Sequence, residues 1–227
     1  ATVTAAARNR DAIAAWAAEL PAETRARVKP MAADMTDLAS VDALIAAVGP
    51  VDILVLNAGG PPPGPALGQP RSAWLTHFEP MAANLFHVAE AMLPGMIERG
   101  WGRILTIASS GVEQPIPNLA LSNGIRGAVA GWSKTLASEV AAHGVTVNLI
   151  LPGRIATQRV AEIDAGAAQK SGRSVAEVAA ASAAAIPAGR YGDPQEFADV
   201  AVFLCSERAS YVTGSMVRVD GGATRGH

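Results

Sequence analysis

Short apolar runs alternate along the chain with longer segments of helical periodicity. The runs that we predict to be strands cover residues 1–7, 28–33, 51–56, 103–108, 145–151 and 215–219. The segments that we predict to be helices cover residues 11–20, 40–48, 71–99, 121–143 and 194–206. Several runs lack polar alternation, which is typical of strands covered on both faces. The pattern predicts a doubly wound α/β fold, in which a parallel sheet carries helices on both faces.

Two segments interrupt this alternation. Residues 59–65 combine glycines with prolines, so we expect a loop there. Residues 156–187 are rich in Ala and follow a predicted strand, at the edge where open α/β sheets bind ligands. We interpret this insertion as a lid over a substrate, and a plain pair of surface helices is the alternative. We find no internal repeat and no separate domain, and we predict that residues 1–227 form one dinucleotide-binding domain.

The composition is that of a folded protein, since 50% of the 227 residues are hydrophobic and 17% are charged. The formal net charge of −2 argues against a nucleic-acid partner, which needs a basic face. No apolar run approaches the roughly 18 residues of a membrane span, so we expect no membrane partner. The single cysteine, Cys205, cannot form an internal disulfide, which favours a reducing, cytoplasmic location. We expect its thiol to be buried, and we predict no metal site.

The chain opens on an apolar run, with no initiator Met at Ala1 and no basic region or cleavage pattern. We interpret this opening as a strand that is entered directly. We therefore expect the sequence to be part of a longer one.

Small and polar residues follow three of the predicted strands. The segment 57–59, Asn-Ala-Gly, would let a flat ligand approach the backbone, and a turn without a ligand is an equal alternative. Asp34 can accept a hydrogen bond from an adenine amino group, while Thr36 or Asp37 can cap the next helix. Purely structural caps are the alternative there. Residues 152–157 leave the fifth run, and a simple turn is their alternative interpretation.

Taken in order and at these spacings, the segments resemble the short-chain dehydrogenase/reductase family, and most closely its β-ketoacyl-carrier-protein-reductase-like members. The resemblance covers essentially the whole chain and includes two late patterns. These are Gly189-Arg190-Tyr191-Gly192-Asp193-Pro194-Gln195-Glu196 and Tyr211-Val212-Thr213-Gly214-Ser215, the second followed by Val219-Asp220-Gly221-Gly222. The resemblance implies a Rossmann-type fold that binds a nicotinamide dinucleotide.

The resemblance also implies which residues contact the dinucleotide. Asp34 and Met35 would flank the adenine, and Asn57, Ala58 and Gly59 would lie along its ribose. Pro152, Gly153, Ile155 and Thr157 would hold the nicotinamide.

The phosphate state of the dinucleotide can be argued from charge. An acidic residue after the second strand of the family selects NAD, whereas an Arg favours the 2′-phosphate of NADP. Here the 1–7 run is followed by Arg8, whose planar fork suits a phosphate. We predict NADP, with NAD the less favoured cofactor. A solvated arginine at a helix start is the alternative interpretation.

The family's Thr-Gly-x-x-x-Gly-x-Gly loop does not occur in these residues, and by resemblance its strand and helix are missing too. That first strand would lie between the strands at 1–7 and 51–56. Without it both neighbours would have unpaired N–H and C=O groups, each costing about 1–3 kcal/mol if buried. Net stabilities are roughly 5–15 kcal/mol. We therefore expect this polypeptide alone to be unstable and to bind NADP weakly.

The resemblance implies catalytic roles for two residues outside the proton-transfer pair. Asn84 matches the family's active-site Asn, which orders a water in the proton path. Ser110 matches its substrate-orienting Ser, and Glu113 close behind it is an outside candidate for an acid. His87, one turn after Asn84, is interpreted as structural.

The family's Tyr-x-x-x-Lys is replaced here by Ser122-Asn123-Gly124-Ile125-Arg126. The i,i+4 spacing keeps both side chains on one helix face. A Ser hydroxyl is a far weaker acid than a phenol, and Arg cannot relay a proton. Arg126 can stabilise a developing alkoxide or hold an anionic substrate. Ser110, Ser122 or a water would then have to deliver the proton.

Two hypotheses follow from this substitution. The first is an NADP-dependent oxidoreductase that acts on a small carbonyl or alcohol substrate with an altered acid–base set. The second is a non-catalytic dinucleotide-binding or assembly protein of the same fold. The long segments at 71–99 and 121–143 resemble those that pack across the family's dimer axis, which implies a homodimer or homotetramer.

Overall fold

Parallel strands alternate with helices throughout residues 1–226, which the computed structural model describes. The strands are β1 (Val3–Ala7), β2 (Val28–Ala32), β3 (Ile53–Leu56), β4 (Gly102–Ile107), β5 (Val145–Pro152) and β6 (Met216–Val219). The α-helices are α1 (Arg10–Ala18), α2 (Ala22–Arg25), α3 (Leu38–Val48), α4 (Arg71–Phe78), α5 (Asn84–Arg99), α6 (Ala120–Val140), α7 (Gln158–Ser171), α8 (Val175–Ala184) and α9 (Pro194–Leu204). The predicted α/β fold is confirmed.

The strands form two separate parallel ladders, one of β2 and β1 and one of β3, β4, β5 and β6 in that order. Parallel neighbours need crossover connections, and each connection here contains a helix. Among the described residues, β1 pairs only with β2. Strand β3 lies at the edge of the four-stranded sheet and pairs only with β4. The strands β1 and β3 are therefore not paired with each other, and the expected gap between them stays a prediction.

The central strands are covered on both faces, as their apolar runs predict. Ile104 of β4 packs in a cluster with Val88 and Met92 of α5, while the next residue, Leu105, packs against Leu204 of α9. Successive side chains of a strand point to opposite faces, so these two clusters lie on opposite sides of the sheet.

The strands β1 and β3 expose part of their apolar side chains, unlike β4 and β5. Val3 of β1 is 49% exposed and Val55 of β3 is 50% exposed. Each of these strands has one paired edge in the described chain, so its apolar side chains lack the cover that a second neighbour gives β4 and β5.

The helix predicted over 71–99 is interrupted by a π-helical turn, Glu79–Ala83. Pro80 has no N–H to donate, and the N–H of Asn84 donates to the carbonyl of Glu79, five residues back. The helix then continues as α5 and ends at Gly100, which has a left-handed φ of 65°. The wide turn sets the direction in which Asn84 points.

The Ala-rich insertion folds as the helix pair α7 and α8. Ser174 and Glu177 form a reciprocal capping box at the start of α8, which fixes where that helix begins. A helix pair agrees with both interpretations of the insertion, so the lid stays a prediction. None of the helices described is long and apolar enough to cross a membrane.

Candidate active site

The side chain of Arg126 joins three parts of the chain at the carboxyl edge of the four-stranded sheet. Nη1 donates to the carbonyl oxygens of Ile107 (3.1 Å) and Ala108 (3.2 Å), where β4 ends. Nη2 donates to the carbonyl oxygen of Ala58 (3.4 Å), two residues beyond β3. Helix α6 supplies Arg126 one turn after Ser122, on the same face. A predicted catalytic residue and a predicted cofactor-binding residue are thus in contact.

Arg126 is a partly buried cation whose three hydrogen-bond acceptors are neutral. Burial lowers the pKa of Arg126. Arginine is not deprotonated in proteins, so the edge of the sheet has a fixed positive charge.

The two predicted catalytic serines are both partly exposed. Ser109 accepts from the N–H of Gly111 (3.1 Å) and so caps the 3₁₀ turn that Ser110 begins. The cap holds Ser110 directly after β4, close in sequence to the carbonyl that Arg126 binds at Ala108. Ser122 lies in the first turn of α6.

Glu113, the outside candidate for an acid, forms an ion pair with Arg218 of β6. The two residues are 105 positions apart, so no local pattern could have predicted this contact. This ion pair holds the side chain of Glu113 against β6.

Asn84 is buried, and its side chain is hydrogen-bonded to the loop after β2 that is predicted to flank the adenine. Its Nδ2 donates to the carbonyl oxygen of Met35 (2.7 Å), which joins the start of α5 to the loop after β2. Among the described contacts, its side chain has no hydrogen bond to Ser110, Ser122 or Arg126. The expected water-ordering role therefore stays a prediction.

His87 has the structural role expected of it. Its Nε2 lies 2.7 Å from Oδ1 of Asp42, which connects α5 to α3.

The predicted adenine side is built from the ends of β1 and β2. Arg8 is exposed directly after β1, and Asp34 is half-buried just after β2. Oδ1 of Asp34 accepts from the N–H (2.9 Å) and the hydroxyl (2.8 Å) of Thr36, and these hydrogen bonds, with a smaller contribution from the charge of Arg8, lower the pKa of Asp34. Asp37 caps α3 through the N–H of Ala39 (3.0 Å), so the capping role belongs to Asp37.

The loop after β3 leaves open space next to the sheet edge. Asn57 is exposed, and a Cβ placed on Gly59 or Gly60 would have no atom within 4 Å. A flat ligand can therefore approach the backbone here, as the Asn-Ala-Gly segment predicts.

The segment after β5, by contrast, is tightly packed against β6. Gly153 donates to the carbonyl of Val219 (2.9 Å), and a Cβ at Gly153 would lie 2.7 Å from Cα of Asp220. Ile155 is buried and pairs with Gly192 in an isolated bridge. Thr157 begins α7, and its hydroxyl donates to the carbonyl of Ile155 (3.3 Å). The four predicted nicotinamide contacts thus lie on a rigid turn.

A polar network that involves Asp164 of α7 was not predicted from the sequence. Nη1 of Arg154 and the hydroxyl of Tyr191 both bond to Asp164, at 2.8 and 2.7 Å, and the Asp164 side chain is 4% exposed. Burial and the contact with Asp164 raise the pKa of Tyr191. Asp164 is one of two acidic residues in α7, and only the fold reveals its partners. The network borders a cavity of about 390 Å³ between α7 and α8.

Comparison with known proteins relates this geometry to one family. The family model described as enoyl-(acyl carrier protein) reductase matches residues 1–224. The chain is 35% identical over 190 residues to 2-keto-3-deoxy-L-fuconate dehydrogenase of Xanthomonas campestris pv. campestris, covering 83% of this chain and 62% of that protein. The chain therefore spans less than two thirds of that relative.

Two further comparisons agree in fold and sequence. The 3-oxoacyl-(acyl-carrier-protein) reductase of Vibrio cholerae is 34% identical over 200 residues, which cover 86% of this chain and 77% of that protein. The crystal structure of L-sorbose reductase from Gluconobacter frateurii, complexed with NADPH and L-sorbose, is 32% identical and superposes with a TM-score of 0.91 over 99% of this chain and 87% of that one.

Proposed function

Because this chain belongs to the short-chain dehydrogenase/reductase family, we propose that it is an NADP(H)-dependent oxidoreductase that interconverts a carbonyl and a hydroxyl group of a small molecule. The observation that carries the proposal is the position of Arg126. Its cationic side chain binds the ends of β3 and β4, where ligands of open α/β sheets are bound. A positive charge is retained there although the family's Tyr and Lys are both replaced.

The residues along the sheet edge fit a nicotinamide dinucleotide with a 2′-phosphate. Arg8 makes no ion pair among the described residues and is exposed after β1, so its guanidinium is available to a phosphate. Asp34, Met35 and the open loop at 57–59 would hold the adenosine. The rigid turn at 152–157 would hold the nicotinamide through Pro152, Gly153, Ile155 and Thr157. The NADPH named for the sorbose reductase supports the same choice.

When bound, the dinucleotide supplies the hydride, and the chain's own residues manage charge and the proton. Arg126 stabilises negative charge on the substrate oxygen, because a cation next to a developing alkoxide lowers its free energy. Ser110 and Ser122 are partly exposed hydroxyls that can orient the carbonyl and pass a proton between it and solvent. Asn84 would order a water in the proton path, and its side chain is held by the hydrogen bond to the carbonyl of Met35.

The test follows NADPH oxidation by the full-length gene product against a panel of ketones and aldehydes. Turnover in the parent protein that is lost in Arg126→Ala, while Lys134→Ala on the same helix retains it, would support the altered enzyme. The second variant is a matched control because Lys134 is exposed and donates to the carbonyl of Gly214, away from β3 and β4.

One observation favours the second candidate, a non-catalytic dinucleotide-binding protein. The hydrogen bonds from Arg126 to three main-chain carbonyls give its charge a structural use that needs no substrate. If the parent protein shows no turnover and the double variant Ser122→Tyr with Arg126→Lys acquires it, the oxidoreductase proposal is wrong for the natural chain.

A homodimer or homotetramer in the cytoplasm is part of the same proposal, with the segments 71–99 and 121–143 as the predicted dimer contact. A second candidate contact lies on α9 and β6. Val202 is 67% exposed, and Phe203, Tyr211 and Met216 are also exposed apolar or aromatic residues on α9, β6 and the segment between them. Large exposed apolar side chains favour association. A change of Val202 to Arg should shift the mass measured by light scattering towards the monomer, and an unchanged mass would exclude this surface from the interface.

A further inference from the structure

Arg126 has no acidic partner, a feature that it shares among the described residues with Arg103 and Lys134, which also hydrogen-bond only to main-chain carbonyl oxygens. Arg99, Arg154, Arg190 and Arg218 each contact a carboxylate. Arg126 contacts only main-chain carbonyl oxygens. A partly buried cation without a counter-charge stabilises an anion that enters its site.

The hydrogen-bond donors of Arg126 are only partly used. A guanidinium has five N–H groups. Two bonds leave Nη1, to Ile107 and Ala108, and one leaves Nη2, to Ala58. With one N–H for each bond, the Nε–H and the second Nη2–H remain. These lie on neighbouring nitrogens, which is the arrangement that binds two oxygens of one ligand side by side.

Among the described residues, no acid is hydrogen-bonded to this pair of donors. The nearest acid in sequence to the site, Glu113, is held by Arg218. The predicted catalytic neighbours Ser110 and Ser122 are neutral hydroxyls. The site therefore offers one cation with two neighbouring donors, next to neutral hydroxyls and main-chain carbonyls.

We propose that Arg126 binds the carboxylate of a 2-oxo acid, so that the substrate pair is a 2-oxo acid and its 2-hydroxy acid. This rests on the proposed function, which requires the same guanidinium to lie next to the oxygen that receives the negative charge. The two remaining N–H groups of Arg126 can each bind one oxygen, and a 2-oxo acid presents one carboxylate oxygen and its 2-oxo oxygen side by side on adjacent carbon atoms. In reduction the 2-oxo carbon accepts a hydride from NADPH and the C=O π bond becomes a C–O single bond. The oxygen takes a proton from solvent through Ser110 or Ser122, leaving NADP⁺ and the 2-hydroxy acid.

The test compares pyruvate with methyl pyruvate, which has the same ketone without the charge. Binding is measured by titration calorimetry on the full-length gene product in the absence of NADPH. Pyruvate should bind about ten- to hundredfold more tightly than the ester. Arg126→Met should remove the preference, and Lys134→Met, which removes one charge from the same helix, should retain it.

The variant Arg126→Lys keeps the positive charge and removes the planar pair of donors, so it tests the two features separately. It should fold even if Arg126→Met does not, as checked by circular dichroism, and it should retain only part of the preference, because an ammonium lacks the planar pair of donors. Equal binding of pyruvate and its ester by the parent protein, or a preference undiminished in both Arg126 variants, would overturn the proposal.

Activity measurements separate this inference from the proposed function. If the protein reduces neutral ketones with NADPH and shows no preference for a carboxylate, the oxidoreductase proposal stands and the 2-oxo acid proposal is wrong. If pyruvate binds more tightly in an Arg126-dependent way but no carbonyl compound causes NADPH oxidation, the carboxylate site stands and the oxidoreductase proposal is wrong.

Discussion

Glu196 is held by two groups that both favour its charged form. Arg190 donates to Oε1 (2.7 Å) and Oε2 (2.8 Å), and the N–H of Asp193 donates to Oε2 (2.8 Å). The contact with Arg190, followed by that with Asp193, lowers the pKa of Glu196 to about 2. Because the folded pKa lies below the ordinary 4.5, the resulting stabilisation is complete above pH 4.5 and is lost as the pH falls towards 2.

We predict that a carboxyl titration by NMR will give Glu196 a pKa near the value of about 2. Arg190→Gln should raise it most of the way towards 4.5, since only the bond from Asp193 would remain. A pKa in the ordinary range for the parent protein would mean that the ion pair does not persist in solution.

Asn84 provides a second prediction at the scale of one residue. Asn84→Ala removes the donor to the carbonyl of Met35 and leaves a polar group in a buried place. The free energy of unfolding should fall by about 1–3 kcal/mol in urea titrations of the full-length protein. Asn57→Ala is the control, because Asn57 is exposed and should change stability by less than about 0.5 kcal/mol. Equal effects of the two changes would contradict the buried hydrogen bond.

Two elements approach each other closely where β5 ends against β6, and Gly153 tests this contact. Gly153→Ala would bring a Cβ to 2.7 Å from Cα of Asp220, so the turn and β6 would have to separate. We expect a loss of about 1–3 kcal/mol of stability. Gly166→Ala in α7 has open space around it and should stabilise the protein by up to about 1 kcal/mol. Thermal unfolding of the two variants should therefore change in opposite directions.

The strands and most helices could be predicted because their apolar periodicity is local. The 71–99 segment shows where this fails, since its periodicity continues through Pro80 although the helix changes type there. The helix Ala22–Arg25 has too few residues for a periodic signal. The unpaired edges of β1 and β3 were expected from the family resemblance and not from their own apolar runs, since such a run does not reveal how many neighbours a strand has.

The residues of the candidate site could be listed from the sequence, but their partners could not. The i,i+4 relation of Ser122 and Arg126 follows from helix geometry. The bond from Arg126 to Ala58 spans 68 positions, and that from Asn84 to Met35 spans 49. Such contacts depend on how helices pack on the sheet, so the spare donors of Arg126 become visible only in the folded chain.

At the scale of the molecule, the unpaired edges of β1 and β3 limit stability. Both strands expose apolar side chains and have one partner each among the described residues. We predict that the polypeptide of these 227 residues, taken alone, unfolds without a cooperative transition and binds NADPH weakly. Hydrogen exchange should be faster in β1 and β3 than in β4 and β5, which are paired on both edges. A sharp melting transition together with tight NADPH binding would contradict this.

Because a π-helical turn precedes α5, inserting or deleting a residue in this turn would change how α5 packs. Successive residues of an α-helix are rotated by about 100° around the axis. Removing one residue from Glu79–Ala83 would restore regular bonding but would turn α5 by that angle relative to α4. Leu85, Val88 and Met92 would then leave the core, and Asn84 would lose Met35. Insertions and deletions at this turn should therefore be much less tolerated than substitutions.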